Sequence, residues 1–190
     1  MNKVSRKESI INAAIAVLGE KGAPHLTMLE IADKAGITDA AIYRHFKNKT
    51  DLLTSIVKKI SSSLTTITSA DSGETPEKRL KNILNKQLEL IERNPGIPRI
   101  LFSDYLHIHD ASLKKMMLDT VQSYMNKIEA IFQEAVVKEI FRQDLNSKAA
   151  SYVFLGLIQS NAIIWSLSDF SFSLSDKSED LWEAALKGLK

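Results

Sequence analysis

Apolar residues along this chain repeat every three to four positions, the spacing of a helix with one buried face, and strand-like alternation is nearly absent. The first such pattern consists of Ile10, Ile11, Ala14, Val17 and Leu18. Gly22 and Pro24 end this predicted helix, because glycine favours a helix C-terminus and proline cannot continue a helix. The chain therefore opens with an amphipathic helix.

Two short helices are predicted next. Thr27 precedes Glu30 by three residues, and this spacing is the capping box that begins a helix. Either Thr38 or Asp39 caps the following helix, which we expect to run to about Phe46. These two predicted helices are short, and a glycine-containing turn separates them.

The remaining chain has the same helical periodicity. A fourth helix begins at Lys49, and the segment from 69 to 76 has the composition of a loop. Further helices are predicted from about 75 to 93, from Pro98 onward, and over about 111–141, 145–168 and 177–189. The fold class is therefore all-α.

Composition narrows the function classes. The 190 residues include no cysteine, which excludes a disulfide framework, a thiolate zinc site and a cysteine nucleophile. Residues 1–60 hold 10 Lys and Arg against 6 Asp and Glu, whereas the rest holds 15 against 17. This asymmetry weakly favours an anionic partner for the N-terminal part.

No targeting segment is predicted. The first nine residues are polar and charged, and the longest apolar stretch, 153–167, is interrupted by Gln159, Ser160 and Asn161. That stretch is shorter than the roughly 18–20 residues of a membrane span. We expect a soluble, cytoplasmic protein.

The segment from Thr27 to Leu53 is typical of a helix-turn-helix, whose second helix enters the major groove of DNA. The residues predicted to pack the helices together are Leu26, Ile31, Ala32, Ile37, Ile42 and Phe46. Around the third helix this leaves Asp39, Ala40, Ala41, Tyr43, Arg44 and His45 to meet a duplex. Small side chains let the backbone approach the bases, and Tyr43, His45, Lys47 and Lys49 are suitable phosphate donors.

The same segment resembles the DNA-binding domain of TetR-family transcriptional regulators. The matching residues are Thr27, Ile31, Ala32, Ala35, Gly36, Ile37 and Thr38, then Ile42, Tyr43, His45, Phe46, Asn48, Lys49, Leu52 and Leu53. The resemblance covers about residues 6–54. It implies a DNA-binding domain over 1–48 and a helical effector-binding and dimerisation domain over 49–190.

The resemblance also implies roles for individual residues. Asp39, Ala40 and Ala41 would lie nearest the bases. The other DNA-binding candidates are Thr27, Thr38, Tyr43, Arg44, His45, Lys47 and Lys49. Two alternatives stay open: Tyr43 as a core aromatic, and Arg44 as a solvated side chain that contacts no DNA. The chain departs from the family pattern at Ala40, where many members have glycine, and at Leu29, where some have a basic residue that reads a base.

The middle helices carry large apolar and amphipathic side chains whose default role is core packing. The resemblance implies that the same helices enclose an effector, and the candidate contacts are Phe102, Tyr105, Leu106, His107, Met117, Val121, Tyr124, Met125, Phe154, Ile158, Asn161 and Trp165. His107, His109 and Asp110, with Asp104 three residues before His107, have spacings compatible with a metal or a polar effector contact. A polar helix end is the simpler interpretation, and we predict neither metal nor cofactor.

The predicted helix over 147–168 is apolar on nearly every face, so it must be covered on all sides. A second subunit is the simplest cover near the end of a chain of this length, and a central helix of a monomer is the alternative. The predicted interface of a twofold dimer comprises Phe154, Leu157, Ile158, Ile164, Leu181, Ala185 and Leu189.

With these features, the resemblance to the TetR family implies a homodimeric transcriptional repressor that binds a pseudo-palindromic operator in double-stranded DNA. A small, largely apolar ligand would release it. The alternative is an architectural or chromosome-organising DNA-binding protein without an effector. An enzyme is disfavoured, because the sequence has no nucleophile elbow, no phosphate-binding glycine loop and no paired carboxylates at a recognisable spacing.

Overall fold

The computed structural model describes residues 5–70, 73–101, 103 and 110–190. Within these residues the chain is helical and contains no strand, as predicted. The α-helices are α1 (Arg6–Lys21), α2 (Met28–Lys34), α3 (Asp39–Ile42), α4 (Lys49–Ser69), α5 (Pro76–Arg93), α6 (Gly96–Leu101), α7 (Ala111–Val137), α8 (Ser147–Leu167) and α9 (Ser178–Lys187). Two 3₁₀ helices cover Ala23–His25 and Ser175–Lys177.

Two helices end about four residues earlier than predicted. Regular α-helix in α3 stops at Ile42, because the amides of Arg44 and His45 bond to carbonyls three residues back and tighten the chain into a turn. The α7 helix stops at Val137, because Glu139 adopts a left-handed backbone (φ 56°) that turns Phe141 back onto the core. No glycine marks that second stop in the sequence.

The chain divides into two compact units. The first unit comprises residues 1–61 and 94–118, and the second comprises 62–93 and 119–190. The α6 helix and the first turns of α7 thus pack with the N-terminal helices. These units differ from the division into 1–48 and 49–190, which concerns function and stays a prediction.

In the first unit, α6 packs against the end of α1 without room for side chains between them. A Cβ added at Gly96 would lie 2.0 Å from the carbonyl oxygen of Ile15. Arg99 of α6 donates from its guanidinium to the carbonyl oxygen of Gly19 at 2.8 Å, which satisfies an acceptor at the C-terminal end of α1. These contacts fix the position of α6 on the N-terminal helices.

The first unit also includes the start of α7. Asp110 caps this helix by accepting from the amides of Ser112 (2.9 Å) and Leu113 (3.1 Å). Hydrogen bonds from the Ser112 hydroxyl and the Leu113 amide, with a smaller one from the Thr50 side chain, lower the pKa of the Asp110 carboxyl. The Thr50 bond joins the first turn of α4 to the start of α7.

The second unit has its own apolar core, formed by α5, α7, α8 and α9 with the end of α4. Phe132 is fully buried in this core, and its ring centroid lies 5.9 Å from that of Phe141 and 6.2 Å from that of Phe154. The segment before α9 is anchored to α5, because Glu92 accepts from the amide of Leu174 at 2.8 Å and from the hydroxyl of Ser175. Those bonds, with the Ser175 hydroxyl the strongest, lower the pKa of Glu92.

Among the described helices, α8 is the one with the length and apolar composition of a membrane span. Its Phe154, Ile158 and Trp165 side chains nevertheless pack in the core of the second unit. The same length and composition are typical of a core helix.

Candidate nucleic-acid interface and effector-binding core

The helix-turn-helix is set up by two threonine caps. The Thr27 hydroxyl accepts from the amide of Glu30 at 3.1 Å, and the Thr38 hydroxyl accepts from the amide of Ala41 at 3.2 Å. The Thr27 cap was expected from the sequence, and Thr38 was one of the two residues expected to cap the following helix. The Glu30 side chain, however, does not return to the cap, because it pairs with the ammonium of Lys21.

Ion pairs orient α2 on α1. The Lys21–Glu30 pair is joined by a second pair between Lys34 and Glu20, with nitrogen and oxygen 2.6 Å apart. Exposed ion pairs contribute little to stability. The packing of α2 on α1 is therefore stabilised mainly by Ile31 and other fully buried side chains. The opposite face of α2 stays open, and Leu29 on it is 67% exposed.

Nearly all the predicted DNA contacts are accessible. Exposed side chains are Thr27, Thr38, Asp39, Ala40, Tyr43, Arg44 and Lys47, and partly buried ones are Ala41, His45 and Lys49. Tyr43 is 51% exposed, so it is not a core aromatic. Ile42 and Phe46 on the same segment are fully buried and hold it in place.

The loop before α4 has a cap that sequence reasoning treated only as a helix breaker. The Asn48 side chain accepts from the amide of Asp51 at 2.9 Å, and the Asp51 carboxylate accepts from the amide of Lys47 at 3.1 Å. This reciprocal arrangement holds Lys47 and Lys49 at the start of α4. The N-x-x-D spacing in the sequence was the available signal.

The predicted effector contacts fall into three groups. Phe102, Tyr105, Leu106 and His107 lie outside the described residues, as do Asp104 and His109 of the possible metal site. The side chains buried in the units are Met117 in the first unit and Tyr124, Met125, Phe154, Ile158 and Trp165 in the second. Val121 and Asn161 are half-buried. The described residues contain no cluster of side chains suited to a metal ion.

A buried polar pair crosses the core of the second unit. The Tyr124 hydroxyl donates to the side-chain oxygen of Gln87 at 2.5 Å, and both residues are buried. Burial raises the pKa of Tyr124 far above its usual range, so the phenol stays a neutral donor. Sequence reasoning missed Gln87, although it is a polar residue in the apolar stripe that contains Leu84 and Ile91.

We predict that Tyr124→Phe lowers the free energy of unfolding by about 1–2 kcal/mol, because Gln87 loses its buried donor. Adding Gln87→Leu should recover most of that loss, since replacing both partners removes the unpaired group. Urea denaturation of the two variants checks this. A double variant less stable than Tyr124→Phe would contradict it.

The predicted interface residues differ in how deeply the structure buries them. Phe154 and Ile158 belong to the core of the second unit, so neither can contact a second subunit without leaving that core. Leu157, Leu181, Ala185 and Leu189 are half-buried, and Ile164 is 58% exposed. Val153 and Leu167 are more exposed still, and neither was among the predicted interface residues.

Comparison with known proteins identifies the class. The family model for bacterial regulatory proteins of the tetR family matches residues 10–56, and the model for the C-terminal region of YsiA-like proteins matches residues 46–188. The chain therefore belongs to the tetR family of DNA-binding transcriptional regulators, a non-enzymatic family, and the resemblance drawn from the sequence is confirmed.

Individual relatives are distant but match along more than nine-tenths of their length. The chain is 25% identical to the fatty acid metabolism regulator protein of Bacillus subtilis over 95% of this chain and 93% of that protein. It is 26% identical to the nucleoid occlusion factor SlmA of Vibrio cholerae, with the same coverage. The crystal structure of the regulator FadR from Bacillus subtilis in complex with stearoyl-CoA superposes with a TM-score of 0.79 at 23% identity, covering 96% of this chain and 98% of that one.

Proposed function

We propose that the protein is a homodimeric repressor that leaves its operator when a small, largely apolar ligand binds. Residues 1–48 would bind DNA, and residues 49–190 would bind the effector and dimerise. The observation that carries this proposal is an exposed set of candidate DNA-contacting side chains on a helix-turn-helix, in one chain with a helical unit whose α8 helix has an open apolar face.

The DNA contacts follow from exposure and chemistry. Asp39, Ala40 and Ala41 begin α3 and would face base edges, where the carboxylate of Asp39 accepts from a cytosine amino group. Hydroxyl, imidazole and ammonium donors would bind phosphates, and these are Thr27, Thr38, Tyr43, His45, Lys47 and Lys49. Arg44 is exposed beside them, and we place it in the same group.

We predict that Tyr43→Phe weakens binding to specific and nonspecific DNA alike. A phosphate contact is made on every sequence, and its loss costs about 0.5–1.5 kcal/mol, or roughly 2–12-fold in affinity. Tyr152→Phe, an exposed tyrosine on α8, is the matched control and should bind normally. Fluorescence anisotropy at fixed salt is the measurement, and unchanged affinity of Tyr43→Phe would remove Tyr43 from the interface.

Dimerisation accounts for the open face of α8. Val153, Leu157, Ile164 and Leu167 lie along one side of this helix, and they are exposed or half-buried although apolar. A second copy packed on this face by twofold symmetry would bury the stripe and present two α3 helices to neighbouring major grooves, about 34–36 Å apart. The half-buried residues of α9 would flank the contact.

The effector would enter the core of the second unit. The Bacillus subtilis relative was crystallised with stearoyl-CoA, which supports a long acyl chain as the apolar part of the ligand. The ligand would act by binding more tightly to the conformation with low DNA affinity, since only differential affinity shifts such an equilibrium. The α4 helix contributes residues to both units and would carry the change.

Selection from a random pool of double-stranded DNA tests the DNA-binding part, and release of the selected DNA by stearoyl-CoA tests the effector part. We expect a pseudo-palindromic sequence bound at least about a thousandfold more tightly than random DNA at the same salt. A protein with no sequence preference would contradict the proposal.

A regulator that binds chromosomal DNA in bacteria would act in the cytoplasm, in agreement with the predicted location.

A second candidate function is chromosome organisation without an effector, and the similarity to the nucleoid occlusion factor of Vibrio cholerae favours it. Binding to many unrelated sequences with similar affinity, unaffected by any acyl ligand, would support this alternative. A single preferred operator released by a ligand would exclude it.

A further inference from the structure

A lysine outside the helix-turn-helix lies beside the segment that carries the candidate phosphate ligands. The ammonium nitrogen of Lys7, in the first turn of α1, lies 5.2 Å from the centroid of the Phe46 ring. Phe46 directly precedes Lys47, and the Asn48 cap then leads into Lys49 and α4. All of these residues belong to the first unit. The start of α1 and the loop after α3 are therefore neighbours in the structure.

The positive charge of Lys7 is available to a partner. In the described part of the chain no carboxylate lies within ion-pair distance of this lysine, and the ring of Phe46 has no net charge. The acidic residue of the same turn, Glu8, lies instead 3.6 Å from the ammonium of Lys59 on α4. Arg6 and Lys7 are both exposed. This end of α1 thus presents cationic side chains to solvent, next to the loop after α3.

We propose that Lys7 binds a phosphate of the DNA backbone, so that the first turn of α1 extends the interface formed by the helix-turn-helix. The inference rests on the proposed DNA binding and adds a contact twenty residues before Thr27, the first of the candidates. An ammonium group forms charge-assisted hydrogen bonds with phosphate oxygens. Contacts of this kind do not read the sequence, but they fix the position of the protein on the duplex and so would help to orient α3 in the groove.

The contact with Phe46 by itself would give Lys7 a structural role, because Phe46 is fully buried. Two substitutions separate this role from DNA binding. Lys7→Met keeps an unbranched apolar side chain over the ring and removes the charge, whereas Lys7→Arg keeps the charge. The matched control is Lys58→Met, since Lys58 is an exposed lysine of the same unit, roughly 13 Å further along α4 than Lys49.

The measurement is the affinity of the full chain for a random-sequence DNA duplex, by fluorescence anisotropy, at several salt concentrations between about 50 and 200 mM. Each phosphate contact contributes about 0.9 to the slope of log affinity against log salt. We expect Lys7→Met to reduce this slope by about 1.8 in a dimer with two such contacts, and to weaken binding at about 0.1 M salt tenfold or more. Lys7→Arg and Lys58→Met should keep the wild-type slope. A purely structural role would leave the slope of Lys7→Met unchanged, because the number of phosphate contacts would be the same.

Three results would overturn the inference: a wild-type slope in Lys7→Met, a slope reduced as much in Lys58→Met, or a reduced slope in Lys7→Arg. The proposed function fails separately, because phosphates are present in every sequence and the measurement needs no operator. If the wild-type protein prefers no sequence, the repressor is excluded, while a reduced slope in Lys7→Met still establishes the contact. If an operator is bound and released by a ligand but the slope does not depend on Lys7, the repressor stands and the contact is refuted.

Discussion

Gly96→Ala should lower the free energy of unfolding by about 3 kcal/mol or more, one of the largest effects we expect from a single added methyl group. The new Cβ would lie 2.0 Å from the carbonyl oxygen of Ile15 and 3.0 Å from the Cβ of Leu18. The nearest obstacle is backbone inside α1, which cannot rotate away as a flexible side chain would. The α6 helix must therefore separate from α1 or the first unit must unfold.

Chemical denaturation measures this loss, and Gly73→Ala is the control. Among the described residues, nothing lies within 4 Å of a Cβ added at Gly73, so the control should differ from the wild type by no more than about 0.5 kcal/mol. Since Arg99 also joins α6 to the end of α1, a destabilised Gly96→Ala protein should show weaker DNA binding as well. A variant as stable as the control would contradict the close packing of α6 on α1.

Ile164→Glu should convert the proposed dimer into monomers. At a twofold interface the substitution places two uncompensated carboxylates in an apolar contact, and a buried unpaired charge costs about 3–5 kcal/mol. The dissociation constant should rise by roughly a thousandfold or more. Because Ile164 is 58% exposed within its own chain, the monomer should remain folded.

Sedimentation equilibrium distinguishes the two states. Val137→Glu is the matched control, since Val137 is a β-branched apolar residue that is 81% exposed at the end of α7 and outside the predicted interface. We expect the control to stay dimeric. Ile158→Glu is unsuitable as a test, because Ile158 is fully buried and the variant would unfold. An intact Ile164→Glu dimer would refute the interface on α8.

Much of the DNA-binding segment was predictable, because its signals act over three or four residues. Thr27 and Thr38 cap their helices through amides three positions ahead, so sequence spacing alone locates the caps. The alternation of buried Ile42 and Phe46 with exposed Tyr43 and Arg44 follows from the helical repeat in the same way. The end of α7 was not predictable, because Glu139 adopts a left-handed conformation that its residue type disfavours.

From the sequence, the predicted effector contacts and the predicted interface could be assigned to helices but not to particular helix faces. The α8 helix is apolar on most of its surface, so its sequence does not tell which face packs inward. Phe154 and Ile158 were assigned to both the pocket and the interface for this reason, whereas Val153 and Leu167 were omitted from the interface. Contacts with α5 and α7 decide the orientation, and those contacts join residues far apart in the chain.

By itself the amino-acid sequence determined the helical class, the helix caps and the segment that binds DNA, since each depends on neighbours within one turn of helix. The tertiary structure decided that α6 packs on α1 through Gly96, that Gln87 pairs with Tyr124, and which face of α8 stays open. These features depend on distances between residues tens of positions apart. Which side chains are buried, and where two backbones approach closely, is decided only when the helices pack together.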